Sequence, residues 1–290
     1  MLNALSVDVE DYYQVSAFES VVRFEDWARR ESRVEYSTHR VLDLLDEHEV
    51  KATFFVLGWV AERNHSLVRI ISKRGHEVAS HGYAHQLIYT QTPDQFREET
   101  RRAKEIVEDI IGQPIIGYRA ASYSITTESL WALDILVEEG FRYDSSIFPI
   151  RHDRYGIPGQ ERFVHFLSGN GPLSITEIPL STLRIAGLNF PVAGGGYFRL
   201  FPYALTHLAL LHLNRREGQP AVVYFHPWEI DPDQPRIQAD RISRFRHYTN
   251  LSRMEKKLRK LLTNFSFAPI REVYAGSLSV PVTALRSDAA

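Results

Sequence analysis

The chain has 290 residues, of which 44% are hydrophobic and 24% are charged, a composition typical of a globular protein with room for one large core. Its formal net charge of -2 gives no indication of a nucleic-acid-binding surface. The absence of cysteine excludes disulfides, cysteine-ligated zinc and a cysteine nucleophile.

The amino-terminal residues do not resemble a targeting segment. Acidic residues begin at Asp8, and no basic region or long apolar run precedes them, unlike in a secretory signal. The longest apolar stretches elsewhere are too short to span a bilayer. We therefore expect a cytoplasmic protein without a transmembrane segment, which could still act near the inner membrane on a membrane-linked substrate.

The first half of the chain alternates short apolar runs with stretches of helical periodicity. We predict strands at 2–9, 51–57, 76–80 and 116–120, and helices at 38–48, 67–74, 93–111 and 128–139. The helix at 93–111 has the clearest ends, because Pro93 lies near its start and Gly112 follows it.

The second half is less regular. We predict strands at 141–145, 173–179, 183–190 and 221–225, the second and third of them outside the main sheet, and helices at 202–217 and 251–263. Apolar strands that alternate with helices indicate an α/β fold with parallel strands buried on both faces. One catalytic domain is expected at 1–274, with a loop and strand insertion at about 148–200 and a loose tail at 275–290.

Three carboxylates lie at the end of the first predicted strand: Asp8 is its last residue but one, and Glu10 and Asp11 follow it. In a barrel of parallel strands, residues just past the carboxyl ends of the strands form the active site. Mutual repulsion of these acids must be relieved by a cation or a shared proton. A solvated turn or a helix N-terminus, where acids are favoured, explains the cluster equally well.

Two histidines, His81 and His85, follow the predicted strand at 76–80. On a helical turn this spacing brings both imidazoles to one metal ion. The spacing alone is a weak signal, because a chain with twelve histidines produces it by chance. Together with the acidic cluster at a neighbouring strand end, it predicts a hydrolytic metal site of two imidazoles and one carboxylate.

Two further strand ends carry polar residues. His226 ends the most apolar strand of the chain, where it is either a hydrogen-bonded core residue or an acid or base that faces a cleft. Arg119 ends another strand, where it is either a surface charge or the partner that holds a carboxylate in place.

At these positions the sequence resembles the polysaccharide deacetylase superfamily, the NodB-homology domain of carbohydrate esterase family 4. The resemblance runs from about residue 6 to 228 and is carried by ordered motifs at 6–11, 81–85, 119–123, 144–148 and 225–226. The segments DVEDY and FHPWEID also resemble a branch found with bacterial exopolysaccharide export systems. The resemblance implies a distorted (β/α)7-type, NodB-like barrel and an N-deacetylase acting on an N-acetylated glycan.

The resemblance also implies catalytic roles. Water attacks the acetyl carbonyl, and Asp8 is the base that takes the proton of the water, with Arg119 holding Asp8 in place. His226 is the general acid that protonates the departing sugar amine, and an acid is needed because amides expel nitrogen poorly.

A divalent metal, most plausibly zinc, is implied by the same resemblance. His81 and His85 are the implied imidazole ligands. Val9 stands where the family has a second aspartate. Because strand alternation puts Glu10 on the same side as Asp8, we assign Glu10 as the acidic ligand and keep Asp11 as the alternative.

The predicted substrate-binding residues are Tyr12, Tyr123, Asp144, Phe148 and Trp228. Aromatic rings suit the apolar faces of sugars, although roughly half of these rings are expected to belong to the core. Two other functions stay open: a metal-independent amidohydrolase of the same fold acting on a small cyclic amide or imide, and a catalytically silent glycan-binding relative. We expect no nucleic-acid partner and leave a homo-oligomer open.

Overall fold

The computed structural model describes residues 1–152, 154–169, 173–192 and 194–279. The strands are β1 (Leu2–Val9), β2 (Thr53–Val56), β3 (Glu77–Ser80), β4 (Gly117–Tyr118), β5 (Tyr143–Asp144), β6 (His165–Ser168), β7 (Ser174–Glu177), β8 (Thr182–Ile185), β9 (Leu188–Pro191), β10 (Val222–Phe225) and β11 (Ser266–Ala268). The helices are α1 (Val34–Glu47), α2 (Gly58–Arg63), α3 (His65–Lys73), α4 (Pro93–Ile111), α5 (Trp131–Glu138), α6 (Gly195–Leu200), α7 (Tyr203–Arg215), α8 (Arg241–Tyr248), α9 (Leu251–Asn264), α10 (Ile270–Val273) and α11 (Ala275–Leu278). Among the described residues, every helix is too short or too polar to cross a lipid bilayer.

Nine strands form one sheet in the order β10-β1-β2-β3-β4-β5-β7-β6, with β11 beside the start of β1. All of its pairings are parallel except that of β6 with β7. Strands β2, β3 and β10 are buried at every residue, as expected for a parallel sheet covered on both faces. The predicted α/β fold is confirmed.

Strand β1 lies inside the sheet, because both of its edges are paired. Val7 lies opposite Phe225 of β10, and Asp8 lies opposite Phe55 of β2. The parallel pairing brings the carboxyl ends of these strands to the same end of the sheet. The polar segments that follow β1, β3 and β10 therefore meet there, as expected for a catalytic site on such a sheet.

Helix α4 shows how local sequence sets the ends of an element. The side chain of Thr92 accepts a hydrogen bond from the backbone of Gln95, and the side chain of Gln95 accepts one from the backbone of Thr92. This capping box, with Pro93 at the first turn, begins the helix. Gly112 ends it with a left-handed φ of 70°. The predicted bounds, 93–111, are the observed ones.

The predicted insertion at 148–200 is divided between the main sheet and a separate hairpin. Strand β7 pairs in parallel with β5, so the prediction that the strand at 173–179 lies outside the main sheet is wrong. The physical reason is that all four residues of β7 are buried, which only a place within the sheet provides. Strands β8 and β9 lie outside the main sheet, as predicted for this segment, but the single strand predicted at 183–190 is wrong, because the two strands form an antiparallel hairpin. The chain turns between them at Ala186 and Gly187, whose left-handed φ of 50° and 82° suit a tight hairpin turn. Residues 153, 170–172 and 193 lie outside the described residues.

Packed structure continues past the predicted domain end at residue 274. The side chain of Leu278, in α11, is buried in a cluster with Tyr274, and its carbonyl oxygen accepts a hydrogen bond from Arg142. The prediction of a loose tail from residue 275 therefore does not fit residues 275–279. The rest of that predicted tail, 280–290, lies outside the described residues.

Candidate active site

A cavity of about 350 Å³ opens where the segments after β1, β3 and β10 meet. Its volume falls in the range of small-molecule binding pockets. The wall of this cavity includes charged and aromatic residues, among them Asp8, Glu10, His81, His85, Tyr123, Arg199, Tyr224, His226, Trp228 and His247.

Glu10, His81 and His85 form a group that could hold a metal ion. One ligand atom from each residue lies within 4.8 Å of the others. The Oε2 atom of Glu10 lies 2.8 Å from Nε2 of His85, yet it is buried and has no hydrogen-bond partner in the described part of the chain. Burial opposes the charge of Glu10, but the neighbouring histidines outweigh burial and hold the pKa of Glu10 well below its usual range. An ionised oxygen that faces two imidazole nitrogens fits a divalent metal.

The imidazole of His81 is oriented by the main chain. Its Nδ1 atom lies 2.8 Å from the carbonyl oxygen of Arg119, which accepts the Nδ1 proton when Nε2 carries none. This arrangement leaves the Nε2 lone pair for a metal, as in most metal-binding histidines. Burial lowers the pKa of His81 to about 4, so the ring is neutral at neutral pH, the form that binds metals.

The two histidines lie on an irregular turn and not on the helical turn that their spacing suggested. Gly82 and His85 both have left-handed backbones, with φ of 73° and 51°. A left-handed residue is uncommon outside glycine and reverses the local course of the chain. Here it brings the rings of His81 and His85 to 5.4 Å from each other.

Arg119 is completely buried and holds Asp8 in place. One of its amino groups donates to Oδ1 of Asp8 and to the hydroxyl of Ser6, each at 2.7 Å. Its remaining donors bind the carbonyl oxygen and the hydroxyl of Ser145 at 3.1 and 2.9 Å. The planar guanidinium group thus uses four of its five N–H donors and orients the carboxylate. Of the two sequence-based alternatives for Arg119, the structure shows the carboxylate partner.

His226 lies between two carboxylates at the end of β10. Its Nδ1 is 3.2 Å from Oε2 of Glu229, and its Nε2 is 3.5 Å from Oε1 of Glu10. Burial by itself lowers the pKa of His226, but Glu10, Glu229 and Asp8 outweigh burial and raise the pKa to about 9. The ring is therefore protonated at neutral pH and can donate a proton into the cavity.

Glu229 and Arg199 take part in this site, and the sequence analysis did not name them. Arg199 donates to Glu229 at 2.5 Å, and both side chains are buried. Glu229 follows His226 by three residues with Pro227 between them, a capping-box spacing that could have identified it. No local signal identifies Arg199, because it comes from a distant segment of the chain.

Asp11 lies away from the metal-binding group. Its Oδ2 atom accepts hydrogen bonds from the hydroxyl of Ser32 at 2.7 Å and from the backbones of Arg33 and Val34 at 2.9 and 3.2 Å. These donors lie at the start of α1, where a carboxylate satisfies unpaired amide groups. The alternative that Asp11 is the metal ligand does not hold, because its oxygens are already occupied.

Of the predicted substrate-binding residues, Tyr123 and Trp228 line the cavity, whereas Tyr12, Asp144 and Phe148 do not. Tyr12 and Phe148 are each 2% exposed, and Asp144 is fully buried. Phe148 packs edge-on against Tyr123, with ring centroids 5.8 Å apart. The prediction that these three residues contact substrate does not hold, because they belong to the core beneath or beside the site.

Two family models match the chain. Residues 20–140 match the model described as polysaccharide deacetylase, and residues 145–275 match a domain of unknown function, DUF3473. The chain carries a polysaccharide deacetylase domain. The recognition of the polysaccharide deacetylase superfamily from its motifs is confirmed, and the exopolysaccharide-associated branch stays a prediction.

Curated relatives of this deacetylase domain match over part of their length. A peptidoglycan-N-acetylglucosamine deacetylase of Bacillus cereus is 36% identical over 75 residues, which cover 26% of this chain and 27% of the relative. A peptidoglycan deacetylase of Helicobacter pylori is 31% identical, with coverages of 37% and 36%. A chitooligosaccharide deacetylase of Bradyrhizobium sp. is 32% identical, with coverages of 33% and 44%. The chain thus spans less than half the length of these relatives.

Solved structures resemble the deacetylase domain and the rest of the chain together. A Mycobacterium smegmatis structure named as a polysaccharide deacetylase has a TM-score of 0.60 and 22% identity, covering 99% of this chain and 94% of that one. The allantoinase Puue has a TM-score of 0.61 and 13% identity, covering 96% and 90%. At these identities the likeness shows the fold alone, a barrel-like α/β fold.

Proposed function

We propose that this protein is a metal-dependent hydrolase that removes N-acetyl groups from an amino-sugar-containing glycan, in the synthesis or modification of an exopolysaccharide. The observation that carries the proposal is that one cavity combines Asp8, the group of Glu10, His81 and His85, and His226. A base, a metal site and an acid are what the hydrolysis of an amide requires. The exopolysaccharide setting rests on the DVEDY and FHPWEID segments.

Glu10, His81 and His85 would hold the metal, and two imidazoles with one carboxylate suit zinc. When bound, a divalent metal would polarise the acetyl carbonyl and lower the pKa of water in the site. The position of Oε2 of Glu10 supports this assignment, because it lies 2.8 Å from Nε2 of His85, close enough for one ion to bind both atoms.

Asp8 is positioned to accept the proton of the attacking water. Arg119 binds its Oδ1 atom, so Oδ2 is the oxygen left for the water. The hydroxyl of Tyr123 lies 3.4 Å from Oδ2 and borders the same cavity. Because Arg119 fixes the carboxylate, the base is oriented before substrate arrives, which lowers the barrier to proton transfer.

His226 would give its Nε2 proton to the departing amine. Glu229 accepts a hydrogen bond from Nδ1 and so keeps the ring in one orientation. Trp228 stacks against the face of the ring, with centroids 5.1 Å apart, and its indole nitrogen donates to Glu10 at 3.2 Å. Trp228 therefore contacts both the proposed general acid, His226, and the proposed metal ligand, Glu10.

Aromatic rings on the cavity wall support a sugar substrate. Tyr89, Tyr155 and Tyr197 line the cavity in addition to Tyr123 and Trp228. Rings of this kind pack against the apolar face of a pyranose while their hydroxyls remain near water. A glycan-binding protein without activity would have no need of the acid and base that flank these rings.

The test is to measure acetate release from N-acetylglucosamine oligomers together with the metal content of the purified protein. We expect about one metal ion per chain, lost with acetate release in His81→Ala/His85→Ala. The matched control is His65→Ala/His212→Ala, which removes two histidines outside the cavity and should change neither quantity. Metal without acetate release would refute the glycan substrate. Hydrolysis of a cyclic amide without metal would favour the metal-independent alternative.

A further inference from the structure

A second cavity, of about 680 Å³, lies beside the catalytic one. The two cavities share Val15, Ser16 and His85 on their walls. The second cavity is formed by the segment after β1, the turn that carries the two histidines and the first half of α4. The two cavities are therefore adjacent, and His85 borders both of them.

Two buried polar groups on the wall of the second cavity have no hydrogen-bond partner in the described part of the chain. They are the hydroxyl of Tyr13 and the Nε2 atom of Gln14, on residues that are 1% and 3% exposed. Buried polar atoms are nearly always paired, and these two lie just behind the surface of the cavity. A hydroxyl and an amide nitrogen that donates protons suit the hydroxyl and ether oxygens of a sugar, which would reach them once the side chains of Tyr13 and Gln14 turn toward the cavity.

The charged groups of this wall are mostly acidic. Four carboxylates and two guanidinium groups line it, those of Glu19, Glu25, Glu98, Glu99, Arg23 and Arg102. Arg102 donates to Glu62, which lies outside the wall, at 2.9 Å. None of the four carboxylates forms an ion pair within the described segments. The wall therefore favours a cation.

Aromatic rings complete the second cavity. Phe24, Trp27 and Tyr83 line it, with Phe24 5.1 Å from Trp27 and 6.5 Å from Tyr83 between ring centroids. Rings beside carboxylates recognise a ligand that is apolar on one face and cationic at its edge.

We propose that this second cavity binds a sugar unit with a free amino group, on the same glycan chain whose N-acetylated unit occupies the catalytic cavity. The inference rests on the proposed function and specifies its substrate as a partly deacetylated glycan. Hydrolysis adds water across the carbon-nitrogen bond and releases acetate, leaving an amine that is protonated at neutral pH. Each completed reaction thus creates the cation that the carboxylates of the second cavity favour, and the enzyme acts next to units it has already deacetylated.

The test compares binding of the glucosamine tetramer with binding of the N-acetylglucosamine tetramer, by calorimetry on the protein after removal of its metal, so that the N-acetylated tetramer is not hydrolysed during the titration. We expect the glucosamine tetramer to bind at least about 5-fold more tightly to the wild type. In Glu98→Gln/Glu99→Gln this preference should disappear, with affinity for the glucosamine tetramer about 10-fold lower. Glu105→Gln/Asp109→Asn removes two charges from the same helix outside the cavity and should keep the preference.

Equal binding of the two tetramers to the wild type would overturn the inference, as would an unchanged preference in Glu98→Gln/Glu99→Gln. Tyr13→Phe removes only the hydroxyl and should weaken both tetramers alike. Unfolding midpoints equal to the wild type exclude misfolding as the cause. The binding measurement does not depend on catalysis. A failure to release acetate would therefore refute the proposed function, whereas the preference between the two tetramers tests this inference alone.

Discussion

Arg199 and Glu229 form a buried ion pair, with Nε of Arg199 2.5 Å from Oε1 of Glu229. The other carboxylate oxygen, Oε2, accepts hydrogen bonds from the backbone and the imidazole of His226. Arg199 also donates to the main-chain carbonyls of residues 246, 247 and 249, which fix its position. Both residues are positioning residues that act on the general acid through contacts away from the cavity centre.

Replacement of this carboxylate by an amide, Glu229→Gln, should lower kcat by about 10- to 100-fold with little change in KM. Because Glu229 is one of the groups that raise the pKa of His226, its loss lowers that pKa. An acid must be protonated to act, so the alkaline limb of the pH-rate profile for acetate release should move to lower pH. Glu217→Gln, which alters an ion pair with Arg162 outside the cavity, is the control. An unchanged alkaline limb would contradict the role given to Glu229.

Two neighbouring acids should respond differently to substitution. Glu10→Gln removes a charged ligand and should abolish metal binding, measured as metal content after dialysis against zinc. Asp11→Ala should keep the metal but lower the free energy of unfolding by about 1 to 3 kcal/mol, because it leaves the amides at the start of α1 unpaired. Loss of metal in Asp11→Ala with normal stability would reverse the two assignments.

Substitution of the proposed base, Asp8→Asn, should lower kcat by at least about 100-fold while metal content stays at the wild-type level. The same change leaves the buried charge of Arg119 without its partner, so the free energy of unfolding should fall by about 3 kcal/mol. Acetate release, metal analysis and urea unfolding on one preparation test all three expectations. Activity within a few-fold of the wild type would exclude Asp8 as the base.

The stability of the fold should depend on the protonation of His76. Burial lowers the pKa of His76 to about 4, and its Nδ1 accepts a hydrogen bond from the backbone of Ala52 at 3.2 Å. The unfolded chain takes up this proton near pH 6.5 and the folded chain does so only near pH 4, so acid favours unfolding within this window. Wild type should lose roughly 3 kcal/mol more than His76→Asn between pH 7.5 and 4. This expectation would be contradicted if the free energies of unfolding of the two proteins, measured with urea, fell by the same amount between pH 7.5 and 4.

The elements with strong local signals could be predicted from the sequence. Strand β1 and helix α4 have the predicted bounds. The end of β1 is marked by the change from apolar to acidic residues, and the ends of α4 are marked by its capping residues. The prediction for β7 is wrong about its position in the main sheet. The strand beside which β7 pairs is distant in sequence, so the residues of β7 alone do not identify it.

The residues of the candidate site could be predicted where a side chain able to act in catalysis or metal binding lies at the end of a strand. Asp8 lies at the end of β1, Glu10 follows it, and His226 follows the neighbouring strand β10, so their convergence follows from the fold. The exposure of side chains was harder to predict, because Tyr12 and Phe148 lie near the motifs in sequence but face the core. Alternation along β10 could have indicated Tyr224, which faces the same side as His226 and lines the cavity.

The central place of β1 has a consequence for biosynthesis. The proposed base lies at residue 8 and the proposed acid at residue 226, on strands that pair directly. A nascent chain must therefore keep its first strand unpaired on one edge until more than two hundred further residues have left the ribosome. A fragment that ends at residue 140 would expose that edge, and we expect such a fragment to aggregate because the two halves of the site are more than two hundred residues apart.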